Sequence, residues 1–133
     1  MGKEISYKIE FKKFIPGIAW FFLVAFLMLL PGKDIPQVSW LEAIHFDKWV
    51  HTGSFMVMTF LFSWVLYKSP YSSQQRFNYF IKIALAASIW GLIIEFLQKF
   101  YIPGRSYDLL DWAADSFGAF IGLLLANKFL KYN

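Results

Sequence analysis

LLDWAADSFGAFIGLLLANKFL, residues 109–130, decides the fold. A run of this length, wound at about 1.5 Å per residue, crosses roughly 30 Å of hydrocarbon as one helix. Its polar and small residues are not scattered. Asp111, Asp115, Gly118 and Gly122 recur at spacings of four, three and four, which places them on one helical face. A carboxylate facing acyl chains is costly, whereas small residues let helices approach closely. The stripe therefore faces protein, and the segment predicts a membrane helix packed against others from the same chain.

Three further stretches have the length and apolarity to accompany it: roughly Phe14–Leu30, Trp49–Tyr67 and Tyr79–Gln98. Composition agrees, with 58% hydrophobic and 22% aromatic residues, including 16 Phe and 6 Trp. A soluble domain of 133 residues has too little polar surface to cover that much apolar side chain. The expectation is an all-α membrane protein, a four-transmembrane-helix antiparallel bundle forming a single domain over residues 1–133. It is further expected that no soluble catalytic domain is attached and that any chemistry uses the spans and their loops. Cysteine is absent, which excludes disulfides, thiolate catalysis and Cys-type zinc sites. The lysine-rich start and first apolar run resemble a signal peptide, but the run is long and ends in Leu29-Leu30-Pro31-Gly32-Lys33 without a small-x-small cleavage site, so an uncleaved first span is expected.

With four spans both termini share a side. That side carries Lys3, Lys8, Lys12, Lys13, Lys68, Arg76, Lys82, Lys128 and Lys131, against Lys33, Lys48, Lys99 and Arg105 on the other. The bias puts both termini in the cytoplasm. In the outer loop from Pro31 to Lys48, Trp40, Leu41, Ile44 and Phe46 suit a short segment lying at the lipid interface. The net charge of +4 follows this topology and is no sign of a nucleic-acid partner.

The remaining polar groups converge on the outer end. On the second span Asp47 and His51 are four apart, with Phe55 continuing the row; on the third, Glu95 and Gln98 are three apart. Asp115 lies about 9 Å inside the fourth span at 1.5 Å per residue. Asp47, Lys48, His51, Glu95, Gln98, Arg105, Asp111 and Asp115 thus form one candidate polar cluster, and Gly118 and Gly122 are helix-packing positions. Clustered carboxylates repel and need cations, for which Arg105, Lys48 and His51 are available. A simple Glu95–Arg105 ion pair locking the third and fourth spans is a structural alternative. Asp108 at the mouth of the last helix suits the helix dipole. No cofactor motif is present, and no metal is expected from spacing alone.

The order of these groups resembles the VanZ-like family of bacterial membrane proteins. The resemblance rests on Asp47-Lys48-Trp49-Val50-His51 with Phe55, on Glu95-Phe96-Leu97-Gln98, on Pro103-Gly104-Arg105, and on Asp111, Asp115, Gly118 and Gly122, together with the Pro31/Pro36 loop. That family commonly has asparagine where Asp115 stands. The resemblance implies a multi-pass protein of the bacterial inner membrane with a cell-envelope role, in a family whose named member is associated with teicoplanin resistance.

Three functions are then expected, in order. The first is a non-enzymatic protein whose outer-facing pocket binds membrane lipids, a cell-wall precursor lipid or a glycopeptide-type ligand, with Arg105 and Lys48 clamping an anionic group. The second is a membrane-embedded enzyme acting on a lipid-linked substrate through His51, Glu95, Asp111 and Asp115 by acid/base or metal chemistry. Against it, HExxH, serine-elbow and phosphatase-like signatures are missing. The third is a small transporter, ranked last because the inner halves of the spans hold little beyond Ser63, Ser88 and Asn127.

Overall fold

The structure is a computed structural model describing residues 8–31, 38–105 and 108–130. Lys3, Lys33, Pro36 and Lys131, named above for topology or resemblance, lie outside the described residues. Among the described residues there is no β-strand. A 3-10 turn, Phe11–Phe14, leads into α1 (Ile15–Met28); α2 (Ser39–Ala43), α3 (Phe46–Trp64), α4 (Ser73–Tyr101) and α5 (Leu109–Phe129) follow. Three helical stretches are long and apolar enough to cross a membrane: Phe11–Met28, Ser73–Tyr101 and Leu109–Phe129.

Local chemistry sets the ends. Pro16 occupies the first turn of α1, where its missing N–H is no loss. The fourth helix starts at Ser73, six residues before the apolar run begins. The cause is a capping box: Ser72 Oγ accepts from the Gln75 N–H while Gln75 Oε1 accepts from the Ser72 N–H. Asp108 caps α5, its carboxylate accepting from the Leu110 N–H at 2.9 Å. Within the stretch expected to form an interfacial segment lies the short helix α2, with Trp40 and its C-cap Ile44 exposed.

α3 covers most of the expected span Trp49–Tyr67 but carries the polar residues His51, Thr52, Ser54, Thr59 and Ser63, and it is not among the stretches apolar enough to cross a membrane. It buries His51, Phe55, Met58, Thr59 and Ser63. Its principal partner is α5, and α5 packs next on α4. A Cβ on Gly118 would collide with the Thr52 carbonyl, and one on Gly122 would lie 2.7 Å from the Met56 carbonyl. Both numbers climb together, so α3 and α5 run parallel with their backbones nearly touching. Ser88 meets Ser116 while Glu95 meets Asp108, so α4 runs antiparallel to α5. Trp20 donates to the Ser54 carbonyl and Gly17 faces Phe62, which makes α1 antiparallel to α3.

The distribution of polarity is inverted relative to a soluble protein. Phe22, Phe26, Ile89, Phe117, Phe120 and Leu124 face outward. Glu95, Asp115, Gln98, Arg76, Thr59 and Ser63 are fully or almost fully buried. Exposed large apolar side chains in such a belt require an apolar solvent.

Candidate functional site

The polar cluster sits where α3 and α5 begin and α4 ends. Lys48 is its hub. Its ammonium, on the first turn of α3, donates to Asp47 Oδ2 at 2.7 Å, Asp108 Oδ2 at 2.7 Å and Asp111 Oδ1 at 2.6 Å. Three N–H donors meet three carboxylates from two helices, so the cation is saturated. Partial burial alone would lower the Lys48 pKa, but the three carboxylates outweigh it and hold the ammonium above its ordinary value. Asp108 is held below the usual carboxylate value, chiefly by the Lys48 hydrogen bond. Burial pushes Asp47 upward, yet the adjacent Lys48 leaves it lowered overall.

One turn deeper, His51 Nδ1 lies 2.6 Å from Asp115 Oδ1, both groups being buried. His51 Nε2 faces Asp111 Oδ2 at 3.6 Å. Asp111 therefore bridges the two layers, one oxygen on Lys48 and the other toward the imidazole. Asp115 packs against Gly91 of α4, where an added Cβ would lie 2.7 Å from Oδ2. Glyless α4 would have no room for that carboxylate. Glu95, wholly buried, accepts the Asp108 backbone N–H through Oε2 at 3.1 Å. Glu95 Oε1 and Asp115 Oδ2 are buried with no hydrogen-bond partner among the described residues. Trp112 Nε1 donates to the Ser88 carbonyl and Ser88 bonds Ser116, which fixes α4 against α5 beneath these acids.

Of the residues picked out from sequence, the structure brings Asp47, Lys48, His51, Glu95, Asp111 and Asp115 into one network. Gln98 is buried at the edge of it and does a different job: Nε2 donates to the Met28 carbonyl at 2.6 Å, tying α4 to the end of α1. The Arg105 side chain makes no ion pair or hydrogen bond with any described residue; its backbone N–H donates to Ile102 at 3.3 Å. The Glu95–Arg105 ion pair is therefore absent among the described residues, and Lys48, unlike Arg105, is already engaged by carboxylates of the chain itself. Lys48 takes the pairing role because its flexible stem reaches α5 from α3, while Arg105 sits on the α4–α5 turn beside Gly104 at φ 74. Gly118 and Gly122 occupy the α3–α5 contact.

Two features had no signal in the spacing. Arg76, counted as a loop cation, is buried, and its Nη1 donates to the Ser69 and Tyr71 carbonyls, bracing the α3–α4 turn. A cavity of about 220 Å³ between α1, α3 and α4 is lined by Phe21, Met58, Thr59, Phe62, Ala87 and Trp90. The cavity surface is apolar; Thr59 Oγ1 and Trp90 Nε1 are buried away from it and have no partner among the described residues.

No family model matches the chain, and no solved structure matches it. Two curated proteins of Arabidopsis thaliana are similar. Oligopeptide transporter 5 is 26% identical over 119 residues, covering 76% of this chain and 15% of that protein. Oligopeptide transporter 1 is 29% identical over 115 residues, covering 73% of this chain and 15% of the relative. The chain spans about 15% of the length of these relatives. The apolar helices and the transporter relatives together identify a multi-pass membrane protein.

Proposed function

We propose that the chain is a VanZ-like protein of the bacterial inner membrane, with α1, α3, α4 and α5 as four antiparallel spans and both termini cytoplasmic. Its cluster then opens outward and binds the polar part of an envelope lipid or glycopeptide-type ligand. The observation that carries this reading is the pair of buried acceptors left without donors, Glu95 Oε1 and Asp115 Oδ2. Unpartnered buried oxygens cost roughly 1–3 kcal/mol each and are retained where something completes them. With Lys48 already saturated and carboxylates in excess, the ligand supplies positive charge or hydrogen-bond donors. The apolar cavity supports an amphipathic ligand. Met58 and Thr59 are about 10 Å further along α3 than His51, a depth suited to an acyl chain under its headgroup.

The test is retention of radiolabelled envelope lipid extract by the purified protein in nanodiscs. Asp111→Asn, which keeps the shape and removes the charge, reduces retention at least tenfold if the cluster is the binding site. Equal retention by the parent and Asp111→Asn rejects the reading.

A second reading, transport, is favoured by the two oligopeptide transporters. His51, Phe55, Thr59 and Ser63 form a buried row down α3, and the hydroxyls of Thr59 and Ser63 have no described partner. That row carries polarity deeper than the cluster. Uptake of a labelled dipeptide into proteoliposomes, abolished by Glu95→Gln, establishes transport; flux equal to empty liposomes removes it.

A further inference from the structure

We infer that His51, Glu95 and Asp111 hold a divalent first-row metal ion, Zn²⁺ or Mn²⁺. This rests on the reading of the cluster as a binding site and names the positive charge that completes it. One ligand atom from each of the three residues lies within 4.8 Å of the other two. The ring nitrogen His51 Nε2 and Asp111 Oδ2 are 3.6 Å apart, close to the spacing of two ligands about 2.0–2.2 Å from a shared tetrahedral ion.

Two independent features point to a ligand there. Glu95 Oε1 is wholly buried and unpartnered, on a residue whose other oxygen is already held by the Asp108 N–H. His51 is oriented from behind: Nδ1 lies 2.6 Å from Asp115 Oδ1, and with the ring proton on Nδ1 the lone pair of Nε2 is directed toward Asp111. A carboxylate behind an imidazole in this way fixes the ring and raises its basicity as a ligand. The neighbouring trio Asp47, Asp108 and Asp111 also has ligand-like spacing, but Lys48 occupies its centre. That trio already has its cation; the deeper one does not.

The donor set selects the ion. An imidazole with two carboxylates suits Zn²⁺ or Mn²⁺ better than Ca²⁺ or Mg²⁺, which prefer all-oxygen shells. Two carboxylates neutralise a divalent ion, so its arrival relieves the repulsion between Glu95 and Asp111. Three protein ligands leave a fourth position open. An oxygen of a phosphate or amide group on the bound lipid or glycopeptide fits that position.

The experiment is titration of EDTA-stripped, dialysed full-length protein in detergent with ZnCl₂, MnCl₂, CoCl₂, MgCl₂ and CaCl₂, followed by calorimetry and, for Co²⁺, visible absorption. The parent binds Zn²⁺ or Mn²⁺ in preference to Mg²⁺ and Ca²⁺, and Co²⁺ gives the intense bands of a low-coordinate site. Glu95→Gln and His51→Gln each weaken binding by at least about 10–100-fold. His45→Gln, which removes the exposed histidine, leaves it unchanged. Circular dichroism establishes that the variants are folded; if either ligand variant unfolds, loss of the Co²⁺ bands in Asp111→Asn decides instead. A folded parent that binds no Zn²⁺, Mn²⁺ or Co²⁺, or binding lost only in His45→Gln, overturns the inference. In that event, lipid retention that still depends on Asp111 leaves the binding-site reading standing, and retention independent of Asp111 removes both.

Discussion

Lys48 replaces three possible repulsions with three attractions. Its own exposure is modest, about a quarter of the side chain, so its Coulomb gain is screened but not erased. Asp47 and Asp108 ionise more readily when folded than their ordinary 3.8. Their stabilisation is therefore complete above that value and is lost as pH falls through their lower folded values. Lys48 is shifted the other way, so its contribution is complete below its ordinary 10.5 and is lost as pH climbs past it. Thermal melts in detergent, followed by tryptophan fluorescence, should fall on the acid side as Asp47 and Asp108 protonate. Lys48→Met should melt well below the parent at neutral pH, and the gap should close in acid as the carboxylates protonate. A gap independent of pH would mean that lost packing, not charge, destabilises the variant. The acidic members of the cluster were legible because a face repeat in a helix is fixed by its geometry. The hub was not. Whether Lys48 or Arg105 reaches Asp108 and Asp111 depends on where the turn around Gly104 points, and no spacing along the chain encodes that.

At the level of elements, the contact between α3 and α5 sets the precision of the site. Gly118 and Gly122 admit α3 carbonyls that any side chain would displace. Gly118→Ala should lower stability by about 1–3 kcal/mol, because its new methyl group meets backbone, which cannot rotate away. Gly53→Ala is the matched comparison, since nothing lies within 4 Å of its added Cβ. It should be neutral or stabilising by roughly 0.5–1 kcal/mol through helix propensity. Equal losses in the two variants, measured by denaturant titration in mixed micelles, would show that the α3–α5 backbones are not in contact. The glycine stripe was readable from residues 109–130 alone. The early start of α4 was less so: Ser72 and Gln75 look like loop polarity until their reciprocal hydrogen bonds are seen. Arg76 misled for a similar reason, because a cation in a polar loop is ordinarily solvated, and here backbone carbonyls of the same turn enclose it.

Across the whole molecule, an acidic interior and an apolar exterior fix which solvent surrounds the helices, while orientation rests on charge bias. The chain contains no cysteine, so single introduced thiols report cleanly. Glu42→Cys on α2 should react with a membrane-impermeant maleimide in intact cells; Gln74→Cys and Glu10→Cys should react only after lysis. The reverse pattern would invert the topology and turn the polar cluster toward the cytoplasm.

The helices also differ greatly in length. α1 has 14 residues and α4 has 29, or about 21 Å against about 43 Å of rise. With the 3-10 turn added, Phe11–Met28 rises about 29 Å, enough for one crossing, whereas α4 exceeds a hydrocarbon slab of about 30 Å by more than two turns. α4 must therefore tilt or project its polar first turns, residues 73–78, into the headgroup layer. Reconstituted into phosphatidylcholines of graded tail length, the protein should melt highest where the slab matches α1 and lower in thicker bilayers, with the optimum moving to longer chains when α1 is extended by one apolar turn. Bilayer thickness would then act as a control variable on the α1 side, while the overhang of α4 absorbs the difference on its own.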